Sequence, residues 1–215
     1  MKIDFVSDIA CPWCAVGFAS LEIALARLGP ETPVEIRFQP FELNPYMPPD
    51  GEDVVEHLTR KYGATPERLA QSRAVLRERG LAVGFVLSER NRVWNTFDAH
   101  RLLHWAGLQG KQWELKHALL KAYHTNGENP GDIDVLARLA AEAGLNPETA
   151  REVVLSGAYA ADVRLQEKHF QQLGIHSVPS VIVNDRHLIQ GGQPPEVFEQ
   201  ALRQIAAEVD NAPAN

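Results

Sequence analysis

Cysteine is nearly absent from this chain of 215 residues: there are two, Cys11 and Cys14. With no second CxxC there is no four-thiolate zinc site. Among the eight histidines, His100 and His104 come nearest to a ligand spacing, and they bring no third ligand. A structural zinc site asks for four Cys or His ligands in two paired clusters, so no metal ligand is assigned. Long apolar runs are missing too. None approaches the ~20 residues of a membrane span. Positive charge is in deficit: 21 Lys and Arg stand against 28 Asp and Glu, a formal net charge of −7. That balance argues against nucleic acid or an anionic membrane as the main partner. There is no internal repeat and no low-complexity tract. The first residues enter a strand at once, leaving no room for a signal peptide, so a cytoplasmic location is expected. A dithiol there is held mostly reduced.

What is present is concentrated at Cys11-Pro12-Trp13-Cys14. The pair follows an apolar strand pattern, Ile3 to Val6, and opens a helix whose Phe18, Leu21, Leu25 and Leu28 share one face. Pro12 fits the first helical position, where its missing N–H costs nothing. Cys11 is then the cap, able to accept from the N–H groups of Trp13 and Cys14. The partial positive charge of the helix start favours a thiolate there. One turn brings the two Cα atoms within disulfide reach. A purely structural disulfide would restrain little, since its loop is so short. Reversible dithiol chemistry is the reading that uses all these features.

Along the chain, Met1 to Ser7 reads as a central strand, and Gly29-Pro30 stops the first helix. Val34, Ile36 and Phe38 alternate with polar residues as a half-buried strand. Residues 1–39 are therefore β-α-β, the opening of a parallel sheet. Four prolines punctuate the next loop. From 52 to 158 the pattern is helical, with no convincing strand. Helices are expected over 52–61, 65–79, 95–108, 111–125 and 132–143, with another from Asn146-Pro147. Gly80 to Asn91 is read as loop. A helix over 159–173 leads to Val178-Pro179, then a hairpin of Val181 to Val183 and His187 to Ile189 about an Asn184-Asp185 turn. Pro194-Pro195 opens a last helix with Val197, Phe198, Ala201, Leu202 and Ile205 inward. Residues 210–215 read as a frayed tail. The fold class is α/β: a discontinuous sheet domain, 1–51 and 159–215, interrupted by an all-helical insertion, 52–158.

This order, with CxxC at the first helix and a proline before a closing hairpin and helix, resembles the thioredoxin-like fold, and the insertion resembles the DsbA family. Phe38-Gln39-Pro40-Phe41-Glu42-Leu43-Asn44-Pro45, Asn95-Thr96-Phe97-Asp98-Ala99-His100-Arg101 and Gly192-Gln193-Pro194-Pro195-Glu196-Val197-Phe198 resemble its cytoplasmic, FrnE-like branch. The likeness runs from Asp4 to about Leu202. It implies that Cys11 is the attacking thiolate, Cys14 the more buried resolving thiol, and Pro179 a cis proline facing the pair. Val178 would offer its backbone to an extended substrate, with Pro12 and Trp13 completing the substrate platform. A cis X–Pro bond is uncommon and marks a special turn; a trans proline at the start of an edge strand is the competing reading. Trp13 stands where periplasmic DsbA oxidants carry histidine. A Cys11 pKa nearer ~7 than ~3.5 is therefore expected, with a potential more reducing than ~−120 mV.

The implied activity is reduction or isomerisation of disulfides in protein or peptide substrates through a mixed disulfide. It needs no cofactor, and glutathione or another thiol reductant serves as recycling partner. A kappa-like glutathione-dependent transferase or isomerase and a non-catalytic peptide-binding holdase are the alternatives. The sequence assigns no oligomeric state. Asp8 is a candidate proton relay, against the plainer reading of a solvated turn former. By resemblance, Asp98 and His100 line the cleft between insertion and sheet. Trp94, Phe97 and Trp105 read as core, and the acids of 128–134 as a loop and helix start.

Overall fold

The computed structural model describes residues 1–210. Of the expected tail, 211–215 lie outside the described residues, while Asp210 closes the last helix. Strand β1 (Lys2–Ser7) is buried along most of its length. It pairs in parallel with β2 (Glu35–Pro40), Lys2 opposite Glu35 and Ser7 opposite Pro40. On its other side it pairs antiparallel with β5 (Ser180–Val183), which pairs with β6 (His187–Gln190). The sheet order is β2-β1-β5-β6, so β1 is interior, with Ile3, Phe5 and Val6 fully buried. The β5–β6 turn places Asn184 and Asp185 at φ 52° and 56°. This is the left-handed pair that a two-residue hairpin needs and that Asn and Asp tolerate.

Helix α1 (Pro12–Leu28) buries Phe18, Leu21 and Leu28, and Gly29 ends it at φ 77°. The expected absence of strands after the proline loop is corrected by a two-residue ladder. There β3 (Glu52–Asp53) pairs antiparallel with β4 (Arg92–Val93). Two residues are too few to show a period of two, and the partner is some forty residues away. Between them lie α2 (Val54–Tyr62), capped by Asp53, and α3 (Pro66–Ala82), capped by Thr65. Helices α4 (Phe97–Leu108), α5 (Gln112–His124), α6 (Ile133–Glu142), α7 (Pro147–Ser156) and α8 (Ala160–Gln172) follow, then α9 (Pro195–Asp210) after the sheet closes.

One apolar cluster joins sheet and helices, from Phe5, Phe18 and Phe38 to Leu102, Leu115, Leu119 and Tyr123, and on to Phe198 and Leu202. Trp105 is buried in it, and Trp94 packs against it. Phe97 is half-buried beneath the Arg164 guanidinium, 3.8 Å from the ring centre. Val197, expected inward, is exposed, while Phe198, Leu202 and Ile205 are buried. It sits about 100° round the helix from Phe198, off the stripe. No helix among the described residues is long and apolar enough to cross a membrane.

Candidate active site

The end of β1 delivers the chain into a tight turn before α1. Asp8 organises that turn. Its carboxylate accepts from Ala10 N at 3.0 Å, Leu43 N at 2.7 Å and Thr96 Oγ1 at 2.8 Å. His100 Nε2 stands 3.5 Å away. The side chain is fully buried, which corrects the solvated-turn reading: three donors from three parts of the chain replace water. Burial pushes its pKa up, and the facing His100 with the Ala10 and Leu43 N–H groups outweigh this and hold it low. Asp8 therefore stays a carboxylate. His124 Nε2, also buried, donates to Ile9 O at 2.8 Å and fixes the same turn from α5.

Cys11 occupies the cap position and Pro12 the first helical one. The Cys11 sulfur makes no cap hydrogen bond of ordinary geometry into the first turn. It donates instead to Val178 O at 3.7 Å. Cys11 and Cys14 are both unpaired thiols, 3.5 Å apart. Cys11 is 4% exposed and Cys14 0%. Their environments separate them. Cys14, donating toward Cys11, lowers the Cys11 pKa; burial opposes this, and the N–H groups of Cys14 and Trp13 add to the lowering. Burial, and then the negative Cys11 beside it, push Cys14 well above the ordinary thiol value. The direction for Cys11 agrees with the expected depression.

The Val178–Pro179 peptide is cis. Pro179 is buried and Val178 half-buried. Two glycines allow this loop to press against α1. A Cβ on Gly17 would meet Gly192 Cα at 3.0 Å and Pro179 Cγ at 3.1 Å, and one on Gly192 would meet Trp13 O at 2.9 Å. Gly17, a lone glycine inside a helical pattern, was the sequence signal for this close approach. Trp13 is half-buried, with the Arg79 guanidinium 5.8 Å from its ring centre. Arg79 also donates to Gly192 O at 2.9 Å, which ties α3 to the loop.

A cleft of about 650 Å³ opens over the pair. Ala10, Cys11, Pro12, Trp13 and Val178 form its floor, and α2, α3 and the 87–93 segment its walls. Arg73, Arg77 and Arg90 line it, with Glu89 as the one carboxylate. Its volume lies within the range of small-molecule sites. Pro12, Trp13, Cys11 and Val178 thus meet at one surface, with Cys14 and Pro179 beneath it. Asp98 and His100 do not line the cleft. His100 is buried against Asp8, and Asp98 pairs with Arg101 at 2.7 Å. His104 packs on Tyr159. Sequence reasoning passed over Lys116. It is 1% exposed, and its Nζ donates to Ser7 Oγ at 2.8 Å behind the cysteines.

Two kinds of likeness to known proteins meet in this geometry. The DSBA-like thioredoxin domain family profile matches residues 2–203. A probable DsbA oxidoreductase, SCO1869 from Streptomyces coelicolor, is 37% identical; it covers 100% of this chain and 93% of its own, at a TM-score of 0.91. Two more distant structures share the fold. A 2-hydroxychromene-2-carboxylate isomerase is 15% identical over 98% of both chains, at a TM-score of 0.75. The cytosolic disulfide reductase DsbM from Pseudomonas aeruginosa, solved with GSH, is 18% identical over 96% of this chain and 100% of that one, at 0.67.

Proposed function

The chain belongs to the DSBA-like thioredoxin domain family, and from that premise we propose that it is a thiol–disulfide oxidoreductase that reduces and isomerises disulfides. One observation carries the reading: two thiols 3.5 Å apart, with pKa values displaced in opposite directions, at the floor of an open cleft. Cys11, the more acidic and the one that lines the cleft, attacks a substrate disulfide. A Cys11–substrate bond forms as the substrate's own S–S bond breaks, and one substrate sulfur leaves as a thiolate. Cys14 then attacks Cys11 Sγ, the internal disulfide forms, and the second substrate sulfur is released. If a different thiol of the substrate attacks the substrate sulfur of the mixed disulfide first, a new substrate disulfide forms, Cys11 leaves as a thiolate, and the enzyme returns to the dithiol with the substrate isomerised.

The substrate is a disulfide on an extended peptide or a small molecule, because a flat protein surface does not reach a sulfur that is 4% exposed. Val178, half-buried at the cleft floor, offers backbone to an extended chain. The two sulfurs hold both electrons of the cycle, so no cofactor enters the scheme. The DsbM structure carries GSH, and we extend a small-thiol reductant of that kind to this chain as its recycling partner, in a cytosolic setting.

Cys14→Ser tests the scheme. Expressed in cells, it should accumulate a covalent adduct on Cys11, identified by non-reducing mass spectrometry, and lose multiple turnover. A Cys14→Ser protein with full activity would move the assignment to a glutathione-dependent isomerase or transferase, whose chemistry needs one thiol. Activity surviving Cys11→Ser would remove the redox reading and leave peptide binding.

A further inference from the structure

The scheme leaves one proton without a destination. Cys14 must ionise to attack, yet it is buried and its pKa is held well above the ordinary thiol value. Asp8 is the nearest carboxylate in sequence, but its oxygens already accept from Ala10, Leu43 and Thr96, and it keeps its charge. Lys116 is placed differently. Its Nζ donates to Ser7 Oγ at 2.8 Å, while the Cys14 sulfur faces the N–H of the next residue, Asp8. Amine and thiol thus share the buried end of β1. Among the described residues Lys116 has no carboxylate at ion-pair distance; its other close neighbour is the Phe38 ring at 5.8 Å. A lysine sealed in a core without a counter-ion costs several kcal/mol as an ammonium, and it releases its proton readily. Behind it lies a cavity of about 10 Å³ lined by Lys116, Gln39, His100, His104 and Gln166. That is close to the room one water needs, among several polar partners. Gln39, His104 and Gln166 are half-buried, so the cavity leads outward on the side away from the cleft.

We propose that Lys116 accepts the proton Cys14 gives up in the resolving step and passes it to solvent through this rear cavity. The step rests on the oxidoreductase reading and balances simply. The Cys14 S–H bond breaks, the neutral amine becomes an ammonium, and the thiolate so formed attacks Cys11 Sγ. The substrate sulfur leaves with the electron pair of its bond. The charges around the amine time the event. Burial brings the Lys116 pKa down to about 8, while Cys14, Asp8 and Cys11 hold it up against that burial. Once Cys11 is bonded to substrate its negative charge is gone, and the amine moves further toward neutrality when a base is needed. The titratable groups around it are Asp8 from the turn, Cys11 and Cys14 from α1, His100 and His104 from α4, and His124 on its own helix.

The test is stopped-flow reaction of the reduced full-length protein with 5,5′-dithiobis(2-nitrobenzoate), which releases one chromophore when Cys11 attacks and a second when Cys14 resolves. In wild type the second phase should rise with pH through a midpoint below about 8, the value for the reduced dithiol, because Cys11 no longer carries its charge in the mixed disulfide. Lys116→Met should leave the first phase within about twofold, slow the second at least tenfold at pH 7, and move its midpoint upward. Lys116→Arg keeps a cation but releases no proton at these pH values, and it should be as slow as Met. If the arginine variant resolves at the wild-type rate, charge alone suffices and proton transfer is overturned; an unchanged second phase in Lys116→Met overturns the whole proposal. A wild-type second phase that does not rise with pH below about 8 also counts against it. Absence of the first phase in wild type would instead strike the oxidoreductase reading, so the two failures are distinguishable.

Discussion

At the scale of single residues, the site is a set of polar groups held where water does not reach. Asp8 accepts three hydrogen bonds, and His124 donates to Ile9 O through Nε2 while its Nδ1 is buried without a hydrogen-bond partner. Lys116 is the exception in kind, a cation whose partner is a hydroxyl. Replacing a buried ion pair by well-packed apolar groups of similar volume is often neutral or stabilising by about 1–4 kcal/mol, and a buried ammonium with no counter-ion bears the desolvation cost without the Coulombic return. Lys116→Met should therefore melt higher than wild type, by about 2–4 °C for each kcal/mol in a chain of this size. Thermal denaturation of both reduced proteins at pH 7 measures it. A lower melting point would mean that the bond to Ser7 outweighs the desolvation of the ammonium, and that the lysine is a structural tie. The position was signalled in the sequence. Lys116 lies on the stripe of Leu119, Leu120 and Tyr123, which reads as a charged residue on an apolar face.

At the scale of elements, buried carboxylates tie the loop after β2 to α8. Arg164 pairs with both Glu42 and Glu167, and one oxygen of each carboxyl is buried without a hydrogen-bond partner. Burial raises both pKa values and Arg164 offsets part of each; the Glu167 charge adds to the rise at Glu42, whereas the hydrogen bond with Glu42 lowers Glu167. A carboxyl with a raised folded-state pKa keeps its proton where the unfolded chain has lost it. Its contribution to stability is full below the ordinary glutamate value and is lost as pH rises through the folded value. Glu167→Gln cannot ionise and leaves Glu42 alone with Arg164. It should melt with wild type at pH 4 and above it at pH 8, the gap widening between. A gap independent of pH would show that Glu167 is charged throughout. This cluster was not legible in the sequence, since Glu42 and Glu167 meet only through the tertiary fold. The elements themselves were legible where local chemistry decides them. Thr65-Pro66 and Asn146-Pro147 announced helix starts, Gly29 and Gly144 helix ends, and Asn184-Asp185 the hairpin. The β3–β4 ladder was not, because its two-residue strands carry no pattern. The burial of Asp8 was hidden for a related reason: its donors, Leu43 and Thr96, come from distant segments.

At the scale of the whole molecule, two charge distributions compete for an approaching substrate. The chain carries a formal charge of −7, which repels anions at long range. The cleft carries the opposite sign: Arg73, Arg77 and Arg90 against Glu89, which Arg77 already pairs at 2.8 Å. Arg90 is engaged as well, donating to Ala10 O and lying over the Tyr123 ring. Arg73 is half-buried and has no ion-pair partner among the described residues. At 0.1 M salt the Debye length is about 10 Å, so dispersed surface acids are screened while cleft arginines within a few ångströms of the ligand are not. Low-dielectric walls strengthen the local field further. Small disulfides of similar size but different charge should therefore rank by the cleft and not by the net charge. The dicarboxylate 3,3′-dithiodipropionate should show the highest kcat/KM, bis(2-hydroxyethyl) disulfide an intermediate one and cystamine the lowest, with a spread of about tenfold or more at low salt. At 1 M salt, where the Debye length is about 3 Å, the spread should shrink, and Arg73→Gln should shrink it at low salt. A preference for cystamine would mean that the global −7 governs encounter and that the arginines are spent on holding the cleft walls together.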